Sequence, residues 1–413
     1  MSKKLRDNRP YLPPVRKIEL SEGNIRSRWI LVAVLLVIAV VSIGYGMSVM
    51  MNTQPGWQEV TAISDQPNCS SEFKLMYDFT QYGGNASAVN KQLIDVYSRA
   101  CEDAFKVFSP DIEADDNLHF LNSQVNQPVR VAPALYRALE RISEYENRCI
   151  FLAPVYREYN RMFLCETDGE AAIYDPQTDP ETAAYVEELM TYVSDPEHIR
   201  LSFREDQQVM LVVSDAYQSF AAEYGIESYL DFSWMKNAFI ADYLAEALEQ
   251  NGFVSGYLSS YDGYTRNLVA EDQAFSIQIF DRQGNTIYAP AEVSYNGRQS
   301  IVFLRDFPMD ELDRWRYYAY EDGRISSILL NPETGRPAAS VASLTALSKD
   351  LSCSQILLEM IPSFLSEKAE PFLAENVATV WCKDGIVYYN NTEAQPKLLD
   401  TGISNGYALQ FAN

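Results

Sequence analysis

Histidine is nearly missing from this chain: His119 and His198 are the only two in 413 residues. With so few, a serine or cysteine triad and a histidine-rich metal site are both disfavoured. The glycine patterns of phosphate and acyl chemistry are missing as well. There is no G-x-x-x-x-G-K-[ST] loop, no G-x-G-x-x-G after a strand and no G-x-S-x-G elbow. None of the six cysteines (Cys69, Cys101, Cys149, Cys165, Cys353, Cys382) stands in a C-x-x-C pair, which argues against a zinc ribbon or a thioredoxin-like motif. No EF-hand loop and no internal repeat is visible.

Basic charge is scarce and unevenly placed. Lys and Arg number 33 against 57 Asp and Glu, a net charge of −24. Residues 1–28 hold eight basic and three acidic side chains, or +5, so the rest carries −24 − 5 = −29. So acidic a body argues against nucleic acid or an anionic lipid surface as its partner.

Between these regions, residues 29–51 form a run of 23 without a charge. As a helix it would span roughly 34 Å, against about 30 Å of bilayer hydrocarbon. A cleavable signal would have a shorter apolar region ending in a small-residue site, which residues 47–51 do not offer. A single transmembrane helix is therefore expected. The basic tail puts the N-terminus in the cytoplasm and the body outside. All six cysteines then lie where disulfides persist, with full pairing and buried free thiols both open.

Residues 52–71, with Pro55, Gly56 and Pro67, read as a linker, and the folded domain is expected over 72–413. A first strand is expected at 72–80, and helical spacing predicts helices over 88–107, 133–145 and 234–250, another starting near Pro180, and a last one over 350–364. Residues 149–163 are aromatic-rich without clean periodicity. Short strands are expected at 198–203 and 208–213, then at 254–259, 275–280, 286–288, 301–304, 325–330, 341–347, 377–382 and 386–389.

One stretch has the layout of a ligand site. Asn331-Pro332-Glu333-Thr334-Gly335-Arg336-Pro337 is a tight polar turn, followed by a β-type run and a helix. Gln355 and Glu359 stand four residues apart on that helix, so they share a face and present two oxygens, as a hard cation such as Mg²⁺ requires. A solvated polar face is the other reading.

The segment Asp231-Phe232-Ser233-Trp234-Met235-Lys236-Asn237-Ala238-Phe239-Ile240-Ala241-Asp242 resembles the D-[LF]-[GS]-x-[IV]-[AG]-[KE]-G-[YF]-A-x-D helix of the ApbE-like flavin transferases. The turn 331–337 is similar to their D-P-x-T-G-x-P motif, and Ser343-Leu344-Thr345 to their S-V-T strand. Leu121-Asn122, with Pro128-Val129-Arg130-Val131 following, resembles their I-N segment. The resemblance covers roughly residues 72–400. It implies a two-lobed α+β domain of mixed, mainly antiparallel sheets with flanking helices, here preceded by the transmembrane helix. It also implies binding of FAD and, with Mg²⁺, transfer of FMN to a hydroxyl, usually a threonine, of a partner such as a membrane flavoprotein. By position, Asn331, Glu333, Thr334, Gly335, Asp262 and Gly263 would meet the cofactor, and Gln355 and Glu359 the metal.

The departures fall at the reaction centre. The family's metal-binding Asp and Thr are Gln355 and Glu359, its helix glycine is Ala238 preceded by Asn237, and the histidine before its turn is Ile328. The turn's aspartate is Asn331, and a glycine pair that lets the dinucleotide approach is replaced near Tyr261-Asp262-Gly263. The expectation is a degenerate homologue that binds or scaffolds. An active Mg²⁺-dependent FAD:protein FMN transferase and an FAD pyrophosphatase are the alternatives.

Overall fold

In the computed structural model of the chain, residues 29–30, 32–42, 55–270, 273–366 and 371–412 are described. Residues 1–53 and 54–413 form separate units. In the first, residues 29–30 and 32–42 are helical, with side chains such as Trp29, Leu36 and Val41 exposed. Among the described residues no helix is long and apolar enough to cross a membrane. The basic tail and residues 31 and 43–51 of the expected span lie outside the described residues.

Alternation of apolar and polar side chains builds the second unit around a nine-stranded sheet whose spatial order follows the chain. Its strands are β1 (Trp57–Val60), β2 (Phe73–Asp78), β3 (Gly256–Ser260), β4 (Tyr264–Asn267), β5 (Gln299–Arg305), β6 (Ser343–Ser348), β7 (Ala378–Lys383), β8 (Ile386–Tyr389) and β9 (Ala408–Phe411). Neighbours pair antiparallel, apart from the parallel β8–β9 pair at the edge. β2 has a buried-intermediate alternation, as one covered face requires, whereas all six residues of β6 are buried. Two three-stranded sheets and a two-stranded ribbon, Tyr317–Ala319 with Ile325–Ser327, complete the β structure seen in the described residues.

The longer helices of this unit are α1 (Ala86–Phe108), α2 (Pro133–Glu144), α3 (Ala153–Phe163), α4 (Pro180–Val193), α5 (Asp215–Tyr224), α6 (Lys236–Gln250) and α7 (Cys353–Phe364), of which α6 and α7 pack on the sheet. α6 is the central one, packed against α1 and α7 on its sides and β3 and β4 beneath. Its face of Phe239, Ile240, Leu244 and Leu248 is fully or nearly fully buried.

Mixed α and β with mainly antiparallel sheets is the expected class. Two lobes were expected, but residues 54–413 form one compact unit holding a large core and a small second one beneath β7 and β8. The expected linker also contains β1, which pairs with β2 from Trp57 opposite Asp78 to Val60 opposite Leu75. A four-residue edge strand beside Pro55 and Gly56 carries too little periodicity to announce itself. α3 went unpredicted although Arg157, Asn160 and Arg161 form an exposed polar stripe at i, i+3 and i+4 opposite a buried apolar face; Pro154 at its first turn marks its start.

Candidate functional site

The start of α6 is fixed by polar clamps. The Asn122 side chain accepts from the backbone N–H groups of Tyr229 (3.1 Å) and Leu230 (2.9 Å) and donates to the Leu230 carbonyl (2.9 Å). Asp231 then accepts from the Ser233 N–H at 2.7 Å, closing the turn that delivers Trp234, Lys236 and Asn237. Burial pushes the Asp231 carboxyl above the usual carboxylate range.

Those three residues form one wall of a cleft of about 530 Å³. Glu72, just ahead of β2, and Tyr261 and Asp262, in the β3–β4 turn, form another; Asp313, Trp315, Arg316 and Ile328 close it. Lys236 pairs with Glu72 at 3.0 Å, and Asn237 Nδ2 donates to Glu72 (2.9 Å) and Asp262 (3.1 Å). Burial would lower the Lys236 ammonium, but Glu72 and Asp262 outweigh it and hold it raised. Below, Arg305 makes a buried bidentate pair with Asp313 (2.7 and 2.8 Å), and Arg316 donates to the Asp262 carbonyl at 3.3 Å.

The cleft's cations are thus already matched by carboxylates. Several buried polar atoms around it nonetheless have no partner in the protein: Asn237 Oδ1, Asp262 Oδ1 and Arg316 Nε. Unsatisfied buried polar atoms are costly, and their concentration beside aromatic walls marks a place prepared for a ligand. Tyr261 and Trp315, 52% and 53% exposed, are free to cover the face of a planar ring.

Among the residues expected from sequence, Asp262 lies in this cleft and Ile328, at the family's histidine position, lines it. Gly263 is adjacent but has a different role. Its φ is +113°, and a Cβ there would sit 2.3 Å from the Phe303 carbonyl oxygen, because the turn folds flat onto β5. Gly263→Ala is expected to cost about 3 kcal/mol through strain and overpacking, measured by chemical denaturation.

The turn 331–337 is not part of the cleft lining. Asn331 Oδ1 accepts from the N–H groups of Glu333 (2.8 Å) and Thr334 (3.3 Å), while its Nδ2 donates to Leu365 at the end of α7 (2.9 Å). Gly335, at φ +65°, fits against Met190 of α4, and its carbonyl accepts from Tyr159 of α3 at 3.3 Å. The turn ties three helices together, with Glu333 and Thr334 exposed.

Gln355 and Glu359 do not line the cleft either. Ser352 and Gln355 form a capping box in which Gln355 Oε1 accepts from the Ser352 N–H at 3.0 Å. Glu359 is exposed, close enough to Tyr145 to join burial in raising its phenol. With one oxygen engaged in the cap and the other in solvent, this pair does not fit a Mg²⁺ ion. Among the described residues, no group of three or more His, Cys, Asp or Glu side chains is placed to hold a metal. Gln355→Ala is expected to lower stability by about 1 kcal/mol, as a lost cap does, and to leave ligand affinity unchanged in a binding titration.

Glu72, Trp234, Asp313, Trp315 and Arg316 were not foreseen as site residues. They converge only in the folded chain, although an arginine inside the apolar strand Gln299–Arg305 is itself a sign of a buried ion pair. Neither histidine belongs to the site: His119 Nδ1 contacts the Pro110 carbonyl and His198 Nδ1 the Ser214 hydroxyl, each at 2.8 Å.

No family model matches the chain. Over 149 residues it is 26% identical to the FAD:protein FMN transferase of Escherichia coli K12, covering 35% of this chain and 40% of that protein. It is 28% identical over 154 residues to the protein of the same name in Salmonella typhimurium LT2, with the same shares covered. The match spans 40% of the length of these curated relatives. In structure the chain is similar to the ApbE protein of Thermotoga maritima, with a TM-score of 0.53 and 11% identity over 84% of this chain and 97% of that one. At that identity the likeness is one of fold.

Proposed function

We propose, from the premise that this chain is ApbE-like in fold and in part of its sequence, that it is a flavin-binding protein without metal-dependent transfer chemistry. The observation that carries this reading is the aromatic-rimmed cleft with its unpartnered polar atoms, set against a Gln355 oxygen that caps a helix. A flavin fits the cleft: Tyr261 and Trp315 would cover the ring system, and Asn237, Asp262 and Arg316 offer donors and acceptors for its edge. When bound, the flavin supplies a planar redox-active ring; the chain holds and orients it.

The charge lining the cleft favours the ring over the phosphates. Glu72, Asp262 and Asp313 against Lys236 and Arg316 leave one net negative charge, so a pyrophosphate gains little there. Fluorescence titration is expected to show saturable binding, with FAD and riboflavin within about threefold of each other, or about 0.7 kcal/mol. No binding up to about 1 mM, a free energy of about −4 kcal/mol, would overturn the reading.

The uncharged run 29–51 supports a second element of the proposal: a single membrane anchor with the domain outside the cytoplasm and, as partner, a membrane flavoprotein. The charge asymmetry across the run and the exposure of its described apolar residues support it. Carbonate extraction and protease protection of intact cells test it. Release into the soluble fraction, or a domain protected in intact cells and their spheroplasts, would contradict it.

A further inference from the structure

Behind the Glu72 wall of the cleft, two cysteines face each other. Cys69 precedes the turn Ser70–Glu72, and Cys101 lies within α1. The Cys69 N–H and its thiol both donate to the Cys101 carbonyl, at 3.3 and 3.4 Å. The two side chains are neighbours, and both are fully shielded from solvent. The other cysteines have different neighbours: the Cys353 thiol donates to the Thr265 carbonyl (3.2 Å) and that of Cys165 to Arg161 (3.4 Å). Cys149 and Cys382 are buried beside Asn147 and Ser343.

We propose that Cys69 and Cys101 form a disulfide that staples the entry to β2 onto α1. A direct amide-to-carbonyl hydrogen bond between the two residues brings their backbones to about the 4.4–6.8 Å Cα separation that a disulfide needs. The step is thiol–disulfide exchange with a small-molecule or protein disulfide. One cysteine thiolate, having lost its proton to solvent, attacks that disulfide and expels a thiolate. The second cysteine thiolate then attacks the protein-side sulfur of the mixed disulfide, forming the Cys69–Cys101 bond and expelling the other half. Two electrons pass to the exchange partner, which leaves as two thiols.

The hydrogen bond to Cys101 and burial push the Cys69 thiol well above the usual range, so the closed, reduced pair exchanges slowly. The bond therefore forms while the chain is folding. Its effect reaches the cleft through one turn: the Glu72 N–H donates to the Cys69 carbonyl at 2.9 Å, and Glu72 holds Lys236 and Asn237.

The test refolds the full chain with reduced and oxidised glutathione, alkylates free thiols in denaturant and maps peptides by mass. The expected result is a Cys69–Cys101 linked peptide with the other four cysteines alkylated. Alkylation of both, or linkage of either to a different cysteine, overturns the proposal. As a second measurement, reduction is expected to lower the thermal midpoint of the oxidised protein by about 5 °C, and Cys69→Ser and Cys101→Ser are each expected to abolish that response. A midpoint unmoved by reductant in the unsubstituted chain overturns it too. Neither readout uses flavin, so this result stands apart from the binding result.

Discussion

Replacing Asp242 with alanine is expected to destabilise the folded body by about 3–5 kcal/mol, because it leaves a buried arginine without its partner. Asp242 ends the motif that opens α6 and is nearly inaccessible, at 6% exposure. One carboxylate oxygen accepts from the Cys353 N–H and the other from the Ser354 N–H, each at 2.9 Å, so it caps the start of α7 from a neighbouring helix. The same group pairs with Arg266 at 2.8 Å and lies 3.8 Å from Arg141. Burial would lower the Arg266 guanidinium, and Asp242 reverses that and raises it. Alanine removes the cap and the counter-charge together; Asp242→Asn keeps one acceptor and is expected to lose less. Urea unfolding of the three proteins checks the order, and a loss below about 1 kcal/mol for alanine would show that the network is incidental.

Truncating the cleft rim is expected to act on binding rather than folding. Trp315→Ala and Tyr261→Ala should each weaken flavin binding about tenfold, or about 1.4 kcal/mol, the scale of one lost aromatic stacking face. Both side chains are about half exposed, so the denaturation midpoint should stay close to that of the unsubstituted protein. Asn331→Ala, in a turn outside the cleft, should show the opposite pattern, with stability lost and affinity kept. Equilibrium titration and thermal melts on the same preparations separate the two effects. Unchanged affinity in both rim variants would place the ligand elsewhere.

The contrast between these residues shows what was legible in the sequence. The helix 234–250 was foreseen closely, since its apolar stripe meets both the sheet and the flanking helices; the structure gives Lys236–Gln250. The turn 331–337 was recognised as a turn because Asn, Pro and Gly each restrict the backbone in a known way. In the folded chain it joins three helices outside the cleft lining, and polar turns that bind ligands and polar turns that join helices use the same residues. Gln355 illustrates the same limit: an i, i+4 pair on a helix face and a capping box differ only in where Ser352 N–H points. Glu72, Asp313 and Arg316 come from distant segments, and no local pattern announces that they will meet.

The decisive measurement incubates the full chain with FAD and a threonine-bearing acceptor, with and without Mg²⁺, and follows bound flavin, AMP and flavinylated acceptor together. The expected result is flavin binding that Mg²⁺ does not change, with neither AMP nor modified acceptor formed. Mg²⁺-dependent release of AMP that disappears in Glu359→Ala would contradict it and restore Gln355 and Glu359 as a working metal site.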